Sequence, residues 1–88
     1  MFTSSTYTAI KNAKRDYITA RQAFENAINA YLYLLGNGSK QQVRTARVAA
    51  DRASERLITL TVKLHDACLN DAELIAIVAA EIEQECAA

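Results

Sequence analysis

The chain has 88 residues, no proline, two glycines and two cysteines, which excludes a disulfide-rich scaffold and favours helices within a single domain, residues 1–88. Its formal net charge is zero, yet all ten Lys and Arg lie in residues 1–63 with four acids, and the other six acids lie in residues 64–88. These two parts therefore carry +6 and −6, so an acidic C-terminal segment can neutralise a basic body within one molecule.

Two segments carry apolar residues at the a and d positions of four uninterrupted heptads, and they mirror each other about a Gly-Asn-Gly-Ser turn at residues 36–39. The first segment contains Ile10, Ala13, Tyr17, Ala20, Phe24, Ala27, Tyr31 and Leu34. The second contains Val43, Ala46, Ala50, Ala53, Leu57, Leu60, Leu64 and Ala67. Heptads of this length predict an antiparallel, coiled-coil-like helical hairpin.

The seam of the hairpin is rich in alanine and has one register that satisfies every layer. If the chain reverses at the turn, residues whose numbers sum to 77 meet, so that Ala27 faces Ala50. In most other layers a large side chain meets an alanine, which lets the two helices approach closely. The same register places Asp16 beside Lys63, where an exposed ion pair can form.

Local signals on both sides specify the turn between the two segments. Gly36 is predicted to be the left-handed residue that ends the first helix, because glycine adopts positive φ at little cost. Ser39 is predicted to cap the second helix, with Gln42 completing a capping box. These signals predict helices over about residues 5–35 and about residues 40–68.

A third and shorter helix is predicted over about residues 71–86. Asn70 is the expected N-cap with Glu73 at the third helical position, and Leu69 and Leu74 form the expected hydrophobic staple. The fold class is therefore all-α, a helical hairpin plus a third helix in an arrangement like a three-helix bundle.

The third helix carries apolar residues on more than one face, so it needs a broad surface to pack on. The second helix offers an apolar stripe opposite the seam, formed by Ile58, Val62, His65 and Leu69. We expect the third helix to fold back antiparallel over this stripe, which leaves the turn half of the hairpin as a bare two-helix arm. The alternative is one bent rod of the second and third helices that reaches another subunit.

The sequence has no group of residues with the spacing of a catalytic, cofactor-binding or metal site. His65 has only Cys68 nearby as a second ligand, and Cys68 and Cys86 lack the CxxC spacing, so a packed or surface histidine and inert thiols are expected. The glutamates within residues 81–85 alternate along a helix and do not converge on a cleft, so a solvated face is expected for them. We therefore expect a protein that is not an enzyme.

Apolar residues near the tip of the hairpin lie off the seam. They are Ile28, Leu32, Tyr33, Leu35 and Val48. Aromatic residues beside aliphatic ones near a helical tip are typical of protein-binding anchors, and a small monomer rarely exposes such a group. We predict that they bind a protein partner, either a second copy of the chain in a homodimer or a foreign protein. The alternative is that they are buried against the third helix.

Basic residues flank the seam and give the alternative function, nucleic-acid binding. They are Lys11, Lys14, Arg15, Lys40, Arg44, Arg47, Arg52 and Arg56. Side chains in such a group contact phosphates, although Asp51 and Glu55 are spaced to pair with Arg47 and Arg52. In architecture alone, with no shared motif, the hairpin resembles the small helical-hairpin dimers that bind RNA, such as the plasmid copy-number regulator Rop, and this resemblance implies RNA binding.

The pattern as a whole favours a small protein-binding module. Such a module serves as an adaptor, an assembly or secretion chaperone, or a phage- or plasmid-type inhibitor of a larger host complex. No secretory signal is visible, the longest apolar run, residues 74–80, is too short to span a bilayer, and two cysteines are compatible with a reducing compartment. We expect a cytoplasmic protein that does not bind membranes.

Overall fold

The computed structural model describes residues 4–87, which form three α-helices and no strand. α1 spans Ser4–Asn37, α2 spans Lys40–Ala67 and α3 spans Ala72–Ala87. The predicted all-α hairpin with a third helix is confirmed. α1 and α2 lie side by side along most of their length, so the molecule is elongated, 55 × 24 × 18 Å. Over the same residues, no helix combines the length and the hydrophobicity that crossing a membrane requires.

The heptad seam joins α1 to α2, and each of its predicted residues is buried or half-buried. The most buried alanines are Ala20, Ala46 and Ala50, which allow the helix backbones to approach each other. The flank differs from the prediction in one respect. Asp16 lies 3.5 Å from Arg15 and, within the described residues, forms no ion pair with Lys63.

The turn between α1 and α2 works differently from the prediction at its first glycine. Gly36 does not end the helix in a left-handed conformation, because α1 continues to Asn37 and no described glycine has positive φ. The last turn of α1 is closed instead by a hydrogen bond of 2.8 Å from the Gly38 amide to the Leu34 carbonyl. A Cβ at Gly38 would lie 2.8 Å from Leu34 Cδ2 and 3.0 Å from Leu34 O, so any larger residue would crowd Leu34.

The capping box predicted at the start of α2 is confirmed. The Gln42 amide donates to Ser39 Oγ at 3.2 Å, and the Ser39 amide donates to Gln42 Oε1 at 2.9 Å. These two bonds satisfy backbone donors that would otherwise have no partner in the first turn of a helix. The beginning of α2 is therefore determined locally.

The chain reverses between α2 and α3 through a Schellman motif. The Leu69 amide donates to Asp66 O and the Asn70 amide to His65 O, both at 2.9 Å. Leu69 and Asn70 consequently have φ of 59° and 53°, in the left-handed region.

The cap of α3 was wrongly predicted at Asn70. Asp71 caps the helix, since its Oδ1 accepts from the Leu74 amide at 3.0 Å, while Asn70 is already in the left-handed turn. The predicted staple is also wrong, because Leu69 points to solvent with 65 % of its surface exposed.

α3 folds back antiparallel to α2 but packs on a different surface from the predicted one. Its buried residues Val78 and Ile82 join Leu64 of α2 and Cys68, the residue that caps α2, in one core cluster. α1 completes this cluster with Ile10, Ala13, Tyr17 and Ile18.

Most of the predicted docking stripe on α2 is left uncovered by this arrangement. Ile58, Val62 and Leu69 are each more than half exposed, and His65 is exposed. The bent rod is likewise not observed, because a turn separates α2 from α3 and α3 returns to α1. The prediction of a bare two-helix arm holds, since α3 ends beside Arg21 and Gln22, midway along α1.

Candidate protein-binding surface

Ion pairs join α3 to α1. Lys14 Nζ donates to Glu85 Oε1 at 3.0 Å and to Glu81 Oε2 at 3.4 Å, so two carboxylates one turn apart share one ammonium. The hydrogen bond to Glu85 raises the pKa of Lys14 above its usual value, with a further contribution from Glu81. Lys14 therefore neutralises one edge of α3.

Arg21 holds the other edge of α3. Its Nη1 donates to Glu83 Oε1 at 2.6 Å, and its Nε lies 3.4 Å from Glu25 Oε1 of the same helix. The hydrogen bond from Arg21 lowers the pKa of Glu83. The three glutamates remain half exposed or more, as expected of a solvated face, and all of them also contact basic residues of α1.

The seat of α3 on α1 is formed by residues that sequence analysis did not single out together. Ile18 packs against the core cluster, and Lys14 and Arg21 lie one turn before and after it on the same side of the helix. A signal for this seat exists in the sequence. The C-terminal segment is acidic and apolar, and Lys14, Ile18 and Arg21 form a stripe of matching character at helical spacing.

The predicted partner-binding residues lie beyond the end of α3. In the described part of the chain, residues 4–87, no other element covers the hairpin there. Leu32, Tyr33 and Leu35 are 58, 67 and 54 % exposed, and Ile28 is half-buried. Ile28, Leu32 and Leu35 follow each other at helical spacing and form one apolar stripe on α1, which we call the apex stripe. Tyr33 lies next to it, toward the outer side of α1.

Val48 belongs to a different surface. It is about half exposed and lines a shallow cavity of about 390 Å³ whose other lining residues, including Arg44 and Arg52, all belong to α2. The predicted set is thus divided between a stripe on α1 and an isolated valine on α2.

The predicted basic residues also divide. Lys14 is bound to α3, and Arg15 contacts Asp16, while Lys11 is exposed. All five members of the set on α2 are exposed and, within residues 4–87, none of them forms an ion pair, not even with Asp51 or Glu55. These five are Lys40, Arg44, Arg47, Arg52 and Arg56.

The five basic residues do not form one stripe along α2. Lys40, Arg44 and Arg47 occupy heptad positions e and b, on the side of the hairpin where α3 lies, whereas Arg52 and Arg56 occupy positions c and g, on the other side. The basic surface nearest the turn therefore lies across the seam from the apex stripe.

His65 and the two thiols do not converge on a reactive centre. His65 lines a cavity of about 100 Å³ between α2 and α3, together with Tyr17 and Cys68. Cys68 is fully buried, and burial, followed by the nearby Asp71 charge, raises the pKa of its thiol. Cys86 is exposed at the end of α3, and both cysteines are free. Within the described residues no group of three or more potential ligands is arranged to hold a metal ion.

Comparison of the chain with protein-family models, with curated proteins and with solved structures finds no match in any of the three.

Proposed function

We propose that this protein is a non-enzymatic protein-binding module that engages a larger protein through the apex stripe and Tyr33. The observation that carries the proposal is the exposure of Leu32, Tyr33 and Leu35, all more than half accessible within about one turn of α1. Exposed apolar residues grouped near one end of a helix mark interaction sites on small domains, and here an aromatic residue lies close in the chain to aliphatic ones. An adaptor, an assembly chaperone and an inhibitor would all use such a surface.

The experiment compares two double variants of equal chemical severity. Leu32→Asp with Tyr33→Asp changes the apex, and Ile58→Asp with Val62→Asp changes the exposed stripe on α2, which serves as the matched control. Affinity capture from the source cells, followed by mass spectrometry, should lose a partner only with the apex variant. Retention of every partner by the apex variant, or the same loss with both variants, would contradict the proposal.

Light scattering on the same proteins identifies the partner as a second copy or a foreign chain. If a second copy covers the apex, the unmodified chain has the mass of a dimer and the apex variant that of a folded monomer. If the partner is foreign, the mass of the purified protein does not change with the variant. Helicity measured by circular dichroism shows that both variants retain their fold.

Nucleic-acid binding is the second candidate function, favoured by the five α2 cations that lack a carboxylate partner within residues 4–87. Phosphate contacts give an affinity that falls steeply with salt, whereas an apolar interface does not. Retention on heparin or RNA with a steep salt slope, reduced by Arg44→Glu with Arg47→Glu, would favour this function. The same salt dependence measured on Arg52→Glu with Arg56→Glu shows whether the cations on the other side of α2 also contribute to binding.

A further inference from the structure

α3 shows what kind of segment binds to this side of the hairpin. Val78 and Ile82 supply apolar contacts on its buried face, and Ile18 of α1 packs against the core cluster to which they belong. Glutamates on both edges of that face contact basic residues, at 3.0 Å from Lys14 and at 2.6 Å from Arg21. The hairpin therefore already binds one acidic amphipathic helix, its own.

The α1 side of this seat continues past the end of α3. The stripe of Lys14, Ile18 and Arg21 occupies heptad positions e, b and e, and the next residues in these positions are Glu25, Ile28, Leu32 and Leu35. The described part of α3 reaches Ala87, beside Arg21 and Gln22, next to an open cavity of about 480 Å³ that Glu25 also lines. From Glu25 to Leu35 the stripe is about 15 Å long, at 1.5 Å per residue, which is room for about three helical turns.

Near the turn, where α3 does not cover the hairpin, the α2 residues across from the apex stripe are basic. The seam register places Lys40 across from Leu35 and Arg47 across from Ile28, on the side of the hairpin that α3 occupies farther along. Arg44 lies between these two cations at helical spacing. Within the described part of the chain none of the three pairs with a carboxylate. This half thus repeats the character of the α3 seat, an apolar stripe beside basic side chains.

The geometry points to an acidic amphipathic helix of a partner protein as the segment that binds at the apex, seated end to end with α3 between the apex stripe and the cations of α2. Its apolar face would cover Ile28, Leu32 and Leu35, and carboxylates along its edge would contact Lys40, Arg44 and Arg47. This inference rests on the proposed function, because it names the chemistry of the partner at the same surface. A helix in a groove is a recurring mode of peptide recognition.

The test uses a synthetic probe derived from α3. The peptide has the sequence of residues 71–87 with Cys86→Ser, and a hydrocarbon staple across positions 76 and 80, both exposed in α3, keeps it helical. A second peptide carries Glu81→Lys, Glu83→Lys and Glu85→Lys with the same apolar residues. Fluorescence anisotropy measures the binding of each labelled peptide to the full-length protein at low salt, where charge complementarity contributes most.

The peptide preference is expected to follow the charge of both the peptide and the protein. The acidic peptide should bind the unmodified protein about tenfold or more tightly than the lysine peptide, and Arg44→Glu with Arg47→Glu should reverse this preference. Leu32→Asp with Leu35→Asp should abolish binding of both peptides. Equal binding of the two peptides, or no binding of the acidic one, would overturn the inference.

A control excludes exchange of the peptide with α3 itself. Lys14→Glu changes the α3 seat and leaves the apex untouched, so the apex site should keep its preference for the acidic peptide in this variant. If Lys14→Glu reverses the preference and the α2 variants do not, the peptide has replaced α3 and the inference is wrong. If the variant with Leu32→Asp and Tyr33→Asp loses natural partners that the variant with Arg44→Glu and Arg47→Glu retains, the apex binds a partner that is not an acidic helix. The proposed function then stands and this inference is wrong.

Discussion

Arg21 Nη1 lies 2.6 Å from Glu83 Oε1, and this contact joins the middle of α1 to the end of α3 across 62 positions of sequence. Lys14 and its two glutamates add a second contact between the same two helices. The alternative surface on α2 is neighboured by Glu55 and Asp66, whose charges would repel an acidic helix. The basic stripe of α1 attracts the same helix.

Acid should loosen α3 before it melts the hairpin. Arg21 lowers the pKa of Glu83, so the ionised carboxylate is favoured when α3 is docked. The stabilisation is complete above the ordinary pKa of the carboxyl, 4.5, and is lost as the pH falls through the lowered pKa of the docked state. NMR of the Ile82 methyl group should show undocking below pH 4.5, while the shift of the seam residue Leu60 stays unchanged.

A charge swap separates this ion pair from other effects of acid. Arg21→Glu alone should undock α3 at neutral pH, because it places Glu83 beside a second carboxylate. Adding Glu83→Arg should restore the Ile82 signal. If the single variant keeps α3 docked, the pair does not determine the seat.

The alanine-rich seam should resist enlargement. Ala50→Leu, or Ala27→Leu in the layer predicted to face it, is expected to lower the free energy of unfolding by about 1–3 kcal/mol, because a close-packed layer has no room for an isobutyl group. Ala80→Leu, on the exposed side of α3, is the matched control and should change little. Urea denaturation measures all three. Unchanged stability in both seam variants would mean that the register is different.

The two glycines should respond to alanine in opposite directions. Gly36 lies within α1 with open space where a Cβ would lie, so Gly36→Ala should stabilise the protein by about 0.5–1 kcal/mol. Gly38→Ala would place a Cβ 3.0 Å from the Leu34 carbonyl oxygen and should destabilise it by about 1–3 kcal/mol. Thermal melting of the two variants provides the comparison. Equal shifts of both melting temperatures would contradict the observed turn geometry.

The turn before α3 should be improved by glycine. Leu69 has a φ of 59° and is largely exposed, so its side chain costs conformational energy and gains little burial. Leu69→Gly should be more stable than Leu69→Ala by up to about 1 kcal/mol, because alanine keeps the Cβ that disfavours this conformation. The free energies of unfolding of the two variants measure the strain directly. Equal values would show that the left-handed turn is not retained in solution.

The two thiols should differ in reactivity. Cys86 is exposed and should react with a thiol reagent at once, whereas Cys68 is fully buried and its pKa is raised by burial. Cys68 should therefore react only at the rate at which α3 undocks. Mass spectrometry of a labelling time course, with Cys86→Ser as the control, separates the two. Rapid labelling of Cys68 in that control would show that the core cluster opens readily.

The hairpin was predictable because its information is periodic and local. The heptads that contain Ala27 and Ala50 admit one register in which all layers are satisfied, and the Ser39 capping box involves residues three apart. The exposed residues Leu32 and Leu35 could be recognised for the same reason, since a residue outside the seam of a two-helix arm has nothing on the arm to cover it.

The seat of α3 was decided by the tertiary structure. The sequence by itself determined that α3 is apolar and acidic, but it predicted only the stripe on α2 as the docking surface and not the seat on α1. Periodicity shows which residues favour burial, but it does not show which surface buries them. That choice depends on contacts such as Lys14 with Glu85 and Arg21 with Glu83, which join residues more than 60 positions apart and exist only once the hairpin has brought α1 beside α3.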